Sequence, residues 1–123
     1  MDTAELDQRF RGLPVTDLPD GLRLIEARSR RSRRRGLSRL DTLPPDVALH
    51  IPGTPSVHTF GMRFSLDLIW LRKDGTVARV DRNIGPRRVA TCLKARSVVE
   101  TTAGAADRFL TAGVGAGNAS ARS

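Results

Sequence analysis

The sequence predicts a small, single-domain, mainly β fold, either a β-sandwich or a barrel-like sheet, with one or two short helices. Three observations support this prediction. The chain has 123 residues, a length typical of one domain. Its apolar residues fall in several short runs that are separated by turn residues. Two of these runs flank an Asp-Gly pair, which is a strong local signal for a β-hairpin.

The strands are expected in a domain that occupies residues 22–112. Residues 1–21 are expected to form a partly extended leader, and residues 113–123, rich in Gly, Ala and Ser, a flexible tail. Alternating or continuous apolar patterns predict strands over residues 22–27, 47–51, 57–60, 66–72, 76–81 and 95–101. The turn Lys73-Asp74-Gly75-Thr76 should join two of them as the hairpin.

Two short helices are expected beside the strands. One is predicted over residues 28–35, because arginine is a good helix former and Gly36 is a suitable C-cap. The other is predicted over residues 103–110, with Thr101 or Thr102 as its N-cap.

Composition excludes several classes of protein. A single cysteine, Cys92, cannot form an internal disulfide or a Cys-x-x-Cys zinc site, and no histidine lies near it to make it a nucleophile. No apolar run approaches the roughly 20 residues of a membrane-spanning helix, and the acidic N-terminus is unlike a secretory signal. We therefore expect a cytoplasmic protein without a cofactor.

The net charge of +8 has a local origin. Seven arginines and no acidic residue lie within residues 28–39, whereas basic and acidic residues nearly cancel elsewhere. These arginines are the candidate anion-binding residues: Arg28, Arg30, Arg31, Arg33, Arg34, Arg35 and Arg39. They could bind phosphates of RNA, DNA or an acidic lipid. The alternative is a solvated helix or loop with a high arginine content, since no aromatic residue for base stacking lies between Phe10 and Phe60.

The order of motifs along the chain is more specific than any one of them. Arg-Gly-Leu at residues 35–37 precedes the segment Ser56–Asp67 (SVHTFGMRFSLD), which is followed by Asp74-Gly75 and by Val-Val-Glu-Thr-Thr-Ala-Gly at residues 98–104. This ordered set resembles the family called domain of unknown function 192, over residues 22–114. The resemblance implies a compact, mainly β domain and a shared site around the His-Thr-x-x-Met core, but no reaction.

The chain departs from the family pattern at four places, two of which concern the proline before the Leu-Asp step and the final strand. Ser65 stands where a proline usually precedes the Leu-Asp step. The final Gly-Asp-x-(Val/Leu) strand of the family has no counterpart, because residues 113–116 run directly into the tail.

The resemblance centres on four candidate pocket residues: His58, Thr59, Met62 and Asp67. In one interpretation they line a polar pocket, with His58 as a base or hydrogen-bond donor and Asp67 orienting it. In the other they are structural, with Asp67 capping a turn, Thr59 bonding the backbone and Met62 packing. A metal site formed by His50, His58 and Asp67 is disfavoured, since the spacing is not a recurrent zinc pattern.

The sequence thus predicts a binding or accessory module with an unknown small ligand or protein partner. Weak contact with anions or nucleic acid through residues 28–39 is the alternative. A hydrolytic enzyme has the least support, because no nucleophile–base pair can be named and no catalytic residue is assigned.

Overall fold

The computed structural model describes residues 8–27, 40–59 and 62–117. This part of the chain contains eight strands, a short 3-10 turn at Pro19–Gly21 and the α-helix Ala106–Thr111, here α1. The strands are β1 Val15–Asp17, β2 Arg23–Glu26, β3 Val47–Pro52, β4 Ser56–His58, β5 Leu66–Leu71, β6 Val77–Ile84, β7 Val89–Thr91 and β8 Ser97–Thr102. The prediction of a mainly β fold is confirmed.

The strands form a six-stranded sheet and a two-stranded sheet. The larger sheet has the order β1-β2-β3-β8-β5-β6, and the smaller one pairs β4 with β7. All neighbours are antiparallel except β2 and β3, which are parallel. β8, the last of the described strands in the sequence, lies inside the sheet between β3 and β5.

Both faces of the large sheet are covered. On one face, Val57 of β4 and Cys92 pack with Leu49, Leu68 and Trp70 of the large sheet in a common core cluster. On the opposite face, Ala106 and Phe109 of α1 pack with Ile69 and Val99. Because both faces are covered, β5 is buried at every position, which explains why all of its residues except Asp67 are apolar.

The predicted hairpin joins β5 to β6. The amide of Arg72 donates to the carbonyl of Thr76 at 2.8 Å, and Gly75 takes the positive φ of 82° that the turn needs. Asp74 Oδ1 accepts hydrogen bonds from the amide and the hydroxyl of Thr76. These two bonds lower the pKa of the Asp74 carboxyl below its usual value.

The two ends of the described chain are more closely attached to the sheet than the sequence suggested. In the expected leader, β1 pairs with β2, and Phe10 is buried in the core. In the expected tail, Val114 is buried and Ala116 forms a β-bridge with Thr76. Gly115 has φ +86°, and a Cβ there would lie 2.3 Å from Val77 Cγ2, so this turn requires glycine to pack so closely.

Part of the predicted structure lies outside the described residues. This applies to the helix expected over residues 28–35, to Phe60 at the end of the strand expected over 57–60, and to residues 118–123. The strand β7 falls in a segment, residues 83–94, in which the sequence showed no clear pattern.

Candidate functional site

Asp67 is buried and its carboxylate is bonded to the backbone. Oδ1 accepts a hydrogen bond from the amide of Asn83 at 2.9 Å. Oδ2 accepts from the amides of Gly104 at 2.9 Å and Ala106 at 3.2 Å. The N-cap residue of α1, Ala105, makes no side-chain cap bond, so Asp67 takes the place of the threonine cap that the sequence predicted.

Thr59 also bonds the backbone. It is buried, its hydroxyl donates to the carbonyl of Gly85 at 2.7 Å, and it accepts from the amide of Arg88 at 2.8 Å. The Thr59 amide donates to the carbonyl of Arg88 at 2.8 Å. These hydrogen bonds hold the loop that leads into β7 against Thr59. Met62 is half-buried against the same core cluster as Val57.

His58 lies at the end of β4 and is exposed. It faces away from the core, because its neighbour Val57 is buried there and successive strand residues point to opposite sides. Within the described residues, every hydrogen bond that the Asp67 carboxylate accepts comes from a backbone amide. The structure thus does not join His58 to Asp67, and the contacts of Asp67, Thr59 and Met62 match the structural interpretation. All seven candidate arginines lie outside the described residues.

Glu100 is a buried carboxyl that the sequence reasoning did not select. It lies on β8 with only 5% of its surface exposed, between Leu49 of β3 and Leu68 of β5. No described residue donates a hydrogen bond to it, and burial raises its pKa to about 7. The sequence offered no local signal for this burial, because Glu100 is covered by β3 and β5, and a periodic pattern does not identify the strands that become neighbours.

The face of the large sheet that packs against α1, opposite to the face of Glu100, carries a cavity of about 490 Å³. Its floor consists of residues from β2, β3, β5 and β8. The other lining residues come from β1 and the segment after it, from the turn between β5 and β6, and from the turn that follows α1. The lining residues are Thr16, Asp17, Leu18, Pro19, Leu24, Glu26, His50, Leu71, Gly75, Val99, Ala112, Gly113, Val114, Gly115 and Gly117. None of the four pocket residues predicted from the sequence is among them.

A histidine–glutamate pair lies in this lining. The parallel register of β2 and β3 places Glu26 beside His50, and Glu26 Oε2 lies 2.6 Å from His50 Nδ1. Their side chains are 14% and 22% exposed. His50 Nε2 is buried and has no hydrogen-bond partner in the described part of the chain. The sequence could not reveal the pair, because 24 positions separate the two residues.

The described residues contain no group of three or more His, Cys, Asp or Glu side chains that could hold a metal ion. His50 and His58 lie on different sides of the molecule, the first at the cavity and the second on the outer side of β4. No helix in the described ranges is long and apolar enough to cross a bilayer.

The chain is thus a small, mainly β domain with a cavity large enough for a small ligand. Residues 15–117 match the family DUF192, described as Uncharacterized ACR. The chain belongs to this family, as the motif order indicated. No curated protein matches the chain significantly.

Two solved structures share the fold. One is a protein of Sinorhizobium meliloti 1021, provisionally described as a transcription regulator, with a TM-score of 0.65 and 20% identity over 82% of this chain and 86% of that one. The other is a protein of unknown function from Novosphingobium aromaticivorans DSM 12444, with a TM-score of 0.62 and 17% identity over 80% and 87%. At these identities the similarity shows the fold alone.

Proposed function

We propose that this domain is a small-ligand-binding module and that its ligand occupies the cavity beside Glu26 and His50. The observation that carries the proposal is the cavity itself, which measures about 490 Å³. Ligand sites in proteins are typically concave, of about 300–1,000 Å³, and mainly apolar with a few fixed polar groups. Here Leu24, Leu71 and Val99 supply apolar surface, and the Glu26–His50 pair supplies the polar groups.

The surface near His58 and Asp67 is the alternative location for a ligand, as the motif pattern predicts. The structure supports it less well. The Asp67 carboxylate already accepts three backbone hydrogen bonds, and the Thr59 hydroxyl bonds Gly85 and Arg88. Of the predicted set, His58 is the exposed polar side chain that a ligand could reach.

Filling the cavity is expected to abolish ligand binding. Leu24 is half-buried and lines the cavity, so Leu24→Trp would occupy the space of a ligand. A fragment library is screened by ligand-observed NMR against the wild type, Leu24→Trp and His58→Ala. Hits should lose at least about tenfold in affinity with Leu24→Trp and keep their affinity with His58→Ala.

The thermal melting of each variant is measured in parallel, to show that it folds. Hits that bind folded Leu24→Trp as well as they bind the wild type would contradict the cavity location. Loss of binding in His58→Ala alone would indicate that the ligand binds at the surface near Asp67.

Nucleic-acid binding through residues 28–39 is the second candidate function. It is favoured by the density of seven arginines with no acidic residue among them, in a chain whose remaining charges nearly cancel. The Sinorhizobium protein that shares the fold is provisionally described as a transcription regulator, which agrees with this candidate. Guanidinium groups bind phosphates with charge-assisted hydrogen bonds, without the need for a base-reading element.

Replacing Arg30, Arg31, Arg33, Arg34 and Arg35 with glutamine is expected to weaken nucleic-acid binding and its salt dependence. Labelled RNA and DNA are titrated at several salt concentrations. Each phosphate contact that is lost should reduce the log–log salt slope by about 0.9 for double-stranded DNA. A wild-type slope near zero, or equal binding by wild type and variant, would exclude this function.

A further inference from the structure

We infer that the cavity selects a ligand with a positively charged amine head and a compact apolar body. This inference rests on the proposed ligand-binding function and adds the chemical class of the ligand. It depends on the charge of the lining residues, on the geometry of Glu26 and on the apolar surface around them.

The described residues that line the cavity carry a charge opposite to that of the chain. Among the described residues, the lining contains two carboxylates, Asp17 and Glu26, and no lysine or arginine. The chain as a whole carries a net charge of +8. A cleft lined by one sign of charge with poorly polarisable walls concentrates counter-ions of the other sign. Among small molecules, this cavity therefore favours cations and disfavours anions.

Glu26 is positioned to receive the head group. Its Oε2 is bonded to His50 Nδ1, which fixes the orientation of the carboxylate. No described residue donates to its second oxygen, Oε1. An ammonium group at Oε1 would form a charge-assisted hydrogen bond, which is stronger than a neutral one. Because Glu26 is 14% exposed, water screens this bond less than it would at an open surface.

The apolar surface of the cavity accounts for the body of the ligand. Leu71 and Val99 are buried on the floor, and Val114 is buried in the turn after α1. A compact hydrocarbon group in contact with these side chains would gain from the removal of apolar surface from water. A strongly hydrated cation such as a bare metal ion would gain nothing from them.

His50 orients the Glu26 carboxylate and does not itself bond the head group of the ligand. Nε2 has no hydrogen-bond partner in the described residues, an unusual state for a buried polar atom in a native protein. It is also buried, so a ligand can reach it only if the adjacent wall moves. The head group is for this reason assigned to Glu26 Oε1.

Three probes with the same ring test the inference: cyclohexylamine, cyclohexanol and cyclohexanecarboxylate. Dissociation constants are measured by NMR titration of the full-length ¹⁵N-labelled chain. The amine should bind at least about tenfold more tightly than the carboxylate, with the alcohol between them. Glu26→Gln, which keeps an acceptor for His50 Nδ1, should remove most of the preference for the amine. Asp107→Asn is the matched control, because this exposed carboxylate on α1 lies outside the cavity lining.

The location of binding is read from the histidine ring nitrogens. The chain has two histidines, so His58→Ala identifies the His50 signals directly. The amine should shift the His50 ring resonances. Tightest binding by the carboxylate, or an amine preference unchanged in Glu26→Gln, would overturn the inference but leave the ligand-binding proposal intact. If no probe or library fragment binds in a way that Leu24→Trp disrupts, the proposed function itself fails.

Discussion

Replacing Asp67 with asparagine is expected to lower the free energy of unfolding by about 3 kcal/mol. The carboxylate accepts hydrogen bonds from the amides of Asn83, Gly104 and Ala106. Asparagine offers one acceptor oxygen, and its NH₂ group would face amides that also donate. Buried donors would then lose their partners, which costs more than a typical hydrogen bond contributes. Urea denaturation followed by fluorescence of the single tryptophan, Trp70, measures the change.

Asp107→Asn provides the control for this substitution. Asp107 is exposed and forms a surface ion pair with Arg82, so its replacement should change the free energy of unfolding by less than about 0.5 kcal/mol. Similar small effects of both substitutions would mean that Asp67 does not hold β5, β6 and the start of α1 together. Both substitutions replace aspartate with asparagine, which has nearly the same size and shape. The difference between their effects on the free energy of unfolding therefore reports the hydrogen bonds of Asp67.

Replacing Glu100 with glutamine is expected to stabilise the protein at alkaline pH by about 3 kcal/mol and to have little effect at acidic pH. Burial raises the pKa of Glu100 from 4.5 to about 7, so the folded state binds the proton more tightly than the unfolded state does. The stability of the wild type associated with this group is therefore complete below about pH 4.5. It is lost as the pH rises through about 7, because the carboxyl must then ionise between Leu49 and Leu68.

The test is the pH dependence of urea unfolding for the wild type and Glu100→Gln. The difference between their free energies of unfolding should grow across the interval from about 4.5 to about 7 and stay constant above it. Other titrating groups are the same in both proteins, so they cancel in the difference. A difference that does not vary with pH would show that Glu100 keeps an ordinary pKa in the folded protein.

The strands that the sequence predicted best are those with a local signal. Leu66–Leu71 was recognisable as a mainly apolar run, and Asp74-Gly75 as the turn that joins it to the next strand. The predicted strands at residues 47–51 and 95–101 correspond to β3 and β8 within two residues at each end. In each case the pattern of side chains along a few residues determines the element.

The features that escaped prediction depend on contacts between distant residues. β1 has only three residues, all exposed, and is held by its pairing with β2. The cap of α1 comes from Asp67, 39 positions before Ala106, so a nearby threonine was the natural local choice. The Glu26–His50 pair depends on the one parallel register of the sheet. The periodicity of side chains along the sequence does not show which strands become neighbours. The cavity forms between neighbouring strands, so it could not be predicted in this way.

The position of β8 constrains the order in which the sheet can assemble. β8 lies between β3 and β5, so the strands before it form two separate parts, β1-β2-β3 and β5-β6. Neither part can join the other until residues 97–102 have left the ribosome, and until then β3 and β5 each present an unpaired edge. Most of the contacts that complete the sheet are thus distant in sequence, a topology that folds slowly. A chain shortened before Ser97 would retain the cavity-lining strands β2 and β3 but would expose an edge suited to pairing with another copy, so β8 protects the sheet against aggregation.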